Sequence, residues 1–378
     1  MTKPNMTDLK STSKKAKNRE LHLGVSLVLA VLIGAFFLYL ATRAIPIDII
    51  GDYLRVADWA RLGWATLAFV AIYSVCHGAR VFRWYYLVRP LGEVEPAKVH
   101  RTCAVGFTAI LLLPLRLGEL VRPFLLARNS KLSGAGILAT VVVERVIDGL
   151  IITGVLFVGL WTYQGEASIE LARGAGTVAA AIFVPALVMC IIAYRSRRLA
   201  RQIVMATLGR VSEKLATKIA GMLESFATGF GAMARRGDLL PFLGGTALYW
   251  TANVFSMWAF LRIGFDINVG PLEMVTVMAV LVVGIMVPAG PAMAGNFEYF
   301  LAQGMGLYVP IGDASVGGQV GVFAALLHLL QIAVIVAPGV WIMIRHRQLR
   351  FNRQTLQESK SVGAGHPASE GQAAVGPN

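Results

Sequence analysis

Glu144, Arg145 and Asp148 stand inside an apolar run that extends from Gly134 to about Trp161. An ionisable side chain at bilayer depth costs about 2.5–3.5 kcal/mol on insertion scales, so such residues face a protein interior and pair. On a helix Glu144 and Asp148, four residues apart, share one face, while Arg145 is turned about 100° away and can reach another helix. Just upstream lies a second cluster, Pro114-x-Arg116-x-Gly118-Glu119-x-x-Arg122. Its arginines, Arg116 and Arg122, are the expected partners of the acids. Two outcomes suit this set. One is an ion-pair network that pins irregular backbone to a helix. The other is a headgroup site in which arginines hold a phosphate while the acids orient them or hold a cationic group. Arginine suits phosphate because its planar fork bonds two oxygens at once. A third cluster, Pro288, Pro291, Gly295 and Glu298, repeats the proline, glycine, glutamate order far downstream.

The elements that must carry these residues follow from composition. Of 378 residues 56% are hydrophobic and only 15% charged, and the mean hydropathy is +0.64. Soluble domains run near 25% charged. A soluble enzyme, a disordered chain and a disulfide scaffold are therefore excluded, and a polytopic all-α membrane protein is expected. The net charge of +14, from 35 Lys+Arg against 21 Asp+Glu, lies in short loops beside apolar runs. That is the positive-inside pattern, not a nucleic-acid surface. Cys76, Cys103 and Cys190 form no metal-ligand spacing, so neither a metal nor a cofactor is expected. His77 and His328 read as helix-packing residues. Arg80, Arg83, Trp84 and Tyr85 read first as an interfacial belt, with lipid-phosphate contact as the lesser reading.

Along the chain, a basic tail (1–20) precedes an apolar run from Gly24 to Thr42, read as an uncleaved anchor, and a second span from about Trp59 to Ala79. The segment 102–127 is broken by Pro114 and Gly118. A single crossing there would export the basic stretch 195–238, so a re-entrant hairpin returning to the cytoplasmic side is expected. Spans over Gly134–Trp161, Gly174–Tyr194, Leu239–Leu261 and Gly318–Ile344 follow, with the stretch 195–238 as an interfacial amphipathic segment. The segment 271–309 must start and end outside, either as a second hairpin or as two full spans. The tail 351–378 is polar and expected to be disordered. The whole, 21–350, reads as one domain of about six spans and two hairpins in an inverted repeat, with both termini cytoplasmic. Proline- and glycine-broken segments in matching halves point to a transporter's binding site. The bends are assigned to Pro114, Gly118, Pro288, Pro291 and Gly295, and the headgroup site to Arg116, Glu119, Arg122, Glu144, Arg145, Asp148 and Glu298.

Over roughly Leu21 to Arg350, the motifs Pro114-x-Arg116-x-Gly118-Glu119-x-x-Arg122, Glu144-Arg145-x-x-Asp148 and Pro288…Pro291…Gly295-x-x-Glu298 resemble the lysylphosphatidylglycerol synthase transmembrane-region family, the flippase-like membrane proteins. The resemblance implies a lipid flippase fold in a bacterial-type cytoplasmic membrane. In full-length relatives a separate domain transfers lysine to phosphatidylglycerol, and stand-alone members are associated with hopanoid or polyprenyl-lipid handling. No soluble domain follows the last apolar run here, so aminoacyl transfer is not expected. Ala292 takes a place where relatives commonly carry glycine, which implies a looser turn.

Translocation of a phospholipid, aminoacyl-phospholipid, hopanoid or polyprenyl-linked lipid is the leading expectation. The expected partners are that lipid and a lipid-synthesis enzyme, with no nucleic acid. The rivals are an intramembrane lipid-modifying enzyme and a scaffold. The first of these would need an acid–base or nucleophile–base constellation, and the sequence offers none.

Overall fold

The computed structural model describes residues 32–33, 35–43, 51, 55, 57–113, 118–164, 169–210, 212–213, 215–217, 219–224, 227, 237–287, 291–346 and 349. The expectations for both tails and for Pro114, Arg116 and Pro288 lie outside the described residues, as does the Pro291 side chain. Regular structure among the described residues is entirely helical. Three segments, Trp59–Leu91, Glu170–Arg195 and Ala314–Arg345, are long and apolar enough to cross a membrane by length and composition. Trp64, Leu67, Val178, Ile182, Leu329 and Trp341 are exposed, as expected of faces turned to lipid.

Helix α1 (Trp59–Val88) starts where the Asp58 carboxylate accepts the Arg61 amide at 3.0 Å, the usual satisfaction of an orphan first-turn donor. It runs past the expected end at Ala79. Arg80 and Arg83 lie within this helix, and Arg83 is buried against acids of another helix. Helices α2 (Pro96–Leu112) and α3 (Val121–Arg128) flank the first break. Proline opens α2, where its missing donor is harmless. Gly118 lies so close to α2 that a Cβ there would overlap the backbone of Ala109 and Ile110. That close approach folds the break back onto the helix it leaves.

Helix α4 (Gly134–Thr162) is capped by Ser133, and α5 (Glu170–Arg195) returns beside it. The short α6 (Arg197–Thr207) buries Ala200 and Val204, one turn apart, and exposes Arg197, Arg198 and Arg201. Helix α7 (Leu239–Gly264) packs along α1 in the opposite direction. At one end Arg61 pairs with Asp266 at 2.7 Å and donates to the carbonyls of Ile263 and Phe265. At the other, Arg89 pairs with Asp238 at 2.8 Å. Between the ends, Phe69 stacks on Tyr73 and meets Phe260 at 5.5 Å.

The second broken segment comprises α8 (Pro271–Ile285) and α9 (Asn296–Met305), and α10 (Ala314–Arg345) closes the chain. The four helices flanking the breaks have 17, 8, 15 and 10 residues, each short of the roughly 20 that span a bilayer. The packing is reciprocal. Helix α2 lies on α10 and α8 on α4, while α3 touches α4 as α9 touches α10.

Candidate functional site: a charged network beside an amphipathic cavity

The acids of α4 point inward and are saturated with donors. Arg83 of α1 grips Asp148 with both terminal nitrogens, at 2.7 and 2.6 Å, and reaches Glu144 at 3.0 Å. Arg122 of α3 holds the other Glu144 oxygen at 2.6 Å, and Arg145 donates to both acids at 3.3 and 3.1 Å. Trp250 of α7 adds an indole N–H to Asp148 at 3.3 Å, and Thr246 lies 3.3 Å from Arg83. Arg83 and Glu144 are wholly buried and Arg122 nearly so. Such pairs hold together in a low-dielectric interior when most of their remaining lone pairs and protons are also bonded; here the acids are satisfied, while the Nε of Arg83 and of Arg122 has no partner among the described residues.

This geometry confirms the pairing of Arg122 with Glu144 and corrects two other expectations. Arg83 is no belt residue: it is the centre of the network, joining α1 to α4. Among the described residues Arg145 bonds no other helix, because its long side chain curls back to the two acids one turn of the same helix apart. The local pattern of aromatics around Arg83 suggested an interface. What would have identified it as a partner is the count of charges, since two buried acids need more arginine than Arg122 supplies.

A cavity of about 140 Å³ opens beside this network. Its polar lining comes from Arg80, Glu119, Arg145, Asp148, Tyr249 and Asn253. Much of the rest is apolar, including Met278, Leu281, Val282 and Ile285 of α8 and Ile332 and Ile335 of α10. The second broken segment reaches the cavity through Met293, Phe297 and His328.

That segment is tied in a different way. Glu298 accepts the Gly295 amide at 2.8 Å, capping α9, and its other oxygen lies 2.7 Å from His328 Nδ1. His328 Nε2 lies 2.7 Å from the Ala292 carbonyl, and the ring stacks on Phe297 at 4.2 Å. The His328 ring is thus held between a carboxylate oxygen and a backbone carbonyl oxygen. Ala292 and Met293 have φ of 55° and 60°, the left-handed region in which a Cβ costs roughly 1–2 kcal/mol. The strain explains why glycine suits position 292. His328 holds the Ala292 carbonyl of this turn. His328 thus does more than pack. His77 fits the packing expectation: it is buried against Phe107, and neither ring nitrogen has a hydrogen-bond partner among the described residues. Of the assigned site residues, Arg122, Glu144, Arg145 and Asp148 form one cluster and Glu119 lines the adjoining cavity. Glu298 belongs to the separate clamp.

An all-helical membrane chain with ion pairs tying broken segments around an amphipathic cavity defines an integral membrane protein. The chain belongs to the family described as "Lysylphosphatidylglycerol synthase TM region", whose model matches residues 27–339. It is similar to the protein named glycosyltransferase AglD of Haloferax volcanii, at 27% identity over 346 residues. That match covers 85% of this chain and 54% of the relative, so the chain spans about half the length of the curated protein it matches. No solved structure matches.

Proposed function

We propose that this protein is a lipid translocase that passes a polar headgroup through the cavity while the hydrocarbon tail stays against apolar helix faces. The observation that carries this reading is the mixed lining of the cavity: arginines and acids together with methionine, leucine, valine and isoleucine. A soluble substrate would need no apolar lining of that extent, and a bare hydrocarbon would need no charges. Glu119 and Arg145 line the path and Arg122 positions it through Glu144. Arg116 is retained as a proposed contact on sequence grounds.

The proposed topology has about six full spans and two re-entrant hairpins, with both termini in the cytoplasm of a bacterial-type inner membrane. The short helices flanking each break support re-entrance, since irregular backbone at membrane depth is tolerated only inside protein or beside a cavity. Three features support an inverted repeat. Helices α1 and α7 pack antiparallel, as a two-fold axis in the membrane plane requires. The contacts α2–α10 and α8–α4 exchange under that axis, and so do α3–α4 and α9–α10.

The test is a translocation assay in proteoliposomes carrying fluorescent phosphatidylglycerol, with a membrane-impermeant quencher added outside. Translocation of the probe makes nearly all of it accessible; failure leaves the inner half protected. A second reading, a membrane part working beside a lipid-modifying enzyme, is favoured by the likeness to a protein named a glycosyltransferase. Under it the carried lipid is a glycosylated one, and translocation of such a probe alone would select it.

A further inference from the structure

The network and the cavity differ in one cation. Arg83, Arg122 and Arg145 each have a carboxylate within 3.3 Å. Arg80 has none among the described residues, although it lies eight residues inside the end of α1, about 12 Å along the helix axis. Its guanidinium stands 3.8 Å above the Phe107 ring and 5.7 Å from Tyr249, and its buried Nε, like those of Arg83 and Arg122, has no partner among the described residues. Ring faces attract a guanidinium but leave its N–H donors unsatisfied. An arginine kept only for structure would have been given an acid, as its three neighbours were.

We infer that Arg80 is the anion-binding residue of the cavity and takes the phosphodiester of a membrane lipid. The reading rests on the cavity being a lipid path and specifies what in the lipid is recognised. Three observations support it. Arg80 lines the cavity together with the Tyr73, Tyr249 and Asn253 side chains, whose hydroxyls and amide can donate to further phosphate oxygens. The Phe107 ring face beneath the guanidinium holds it at the cavity, where its fork can bond two oxygens. The ion pairs also fit: among the described residues Glu144 and Asp148 are taken up by Arg83, Arg122 and Arg145, so the charge of Arg80 is left for an anion.

The test measures binding to the full-length protein in detergent by native mass spectrometry, titrating phosphatidylglycerol, diacylglycerol with the same tails, and sn-glycerol 3-phosphate. The wild type binds phosphatidylglycerol above diacylglycerol, and Arg80→Gln removes that preference, weakening phosphatidylglycerol by about ten- to a hundredfold. Arg80→Lys falls between, because it keeps the charge and loses the fork. Arg80→Gln melts within about two degrees of wild type, because no acid loses its partner. Unchanged phosphatidylglycerol binding in a folded Arg80→Gln overturns the assignment. Glycerol phosphate binding as tightly as the lipid overturns the lipid source, leaving a soluble phosphate ester. Binding that depends on Arg80 without translocation in vesicles refutes transport and leaves the anion site standing. Translocation that does not depend on Arg80 does the reverse.

Discussion

Both broken segments are fastened to the long helix that follows them, but by opposite kinds of bond. In the first, Arg122 of α3 is the base and Glu144 of α4 the acid. In the second, the acid is Glu298 of α9 and the base His328 of α10. The first fastening is fully buried and shared with Arg83, Arg145 and Asp148. The second leaves the Glu298 side chain 21% exposed and uses a residue whose charge depends on a proton. A guanidinium stays charged under all ordinary conditions, so the first link is permanent. The second is a single, partly exposed contact through an imidazole. The comparison teaches that a shared architecture does not require shared rigidity: one half is locked and the other is held.

The largest effect should come from the locked half. Arg83→Gln leaves Glu144 and Asp148 short of a bidentate partner inside the bundle, a loss of about 3–5 kcal/mol, read as a collapsed melting temperature or failed purification in detergent. Arg122→Gln should cost less, about 1.5–3 kcal/mol, because Glu144 keeps Arg83 and Arg145. Equal melting of wild type and Arg83→Gln would show that the network carries no stability. In the second half Glu298→Gln should cost only about 1–2 kcal/mol, since the amide oxygen can still accept from Gly295. If Glu298→Gln is as damaging as Arg83→Gln, the two halves are equally locked and the comparison fails. The smallest effect is a gain. Ala292→Gly relieves left-handed strain and should raise stability by up to about 1 kcal/mol after the entropy of glycine is counted, visible as a small upward shift in melting. A downward shift would mean that the alanine methyl makes a contact worth more than its strain.

Much of this arrangement was legible in the sequence. The helix starts at Gly134, Leu239 and Pro271 fall where the apolar runs begin. The pairing of Arg122 with Glu144 followed from the rule that charges at membrane depth seek each other. The place of Arg83 did not, because partner choice between distant helices depends on packing and not on local spacing. Arg80 and Arg83 are one turn apart and sit among the same aromatics, yet one meets acids and the other a ring face. The His328 clamp was hidden for the same reason: its two acceptors come from 30 and 36 residues upstream, one of them a backbone carbonyl that no side-chain pattern records.

The central claim is that the polar residues divide into those that hold the bundle and those that meet the lipid. The direct measurement is the translocation rate of fluorescent phosphatidylglycerol in proteoliposomes, taken with a melting curve from the same preparation of wild type and Arg80→Gln. The account predicts that Arg80→Gln melts like wild type and moves the lipid at least about tenfold more slowly. Wild-type translocation in an equally stable Arg80→Gln protein would contradict it.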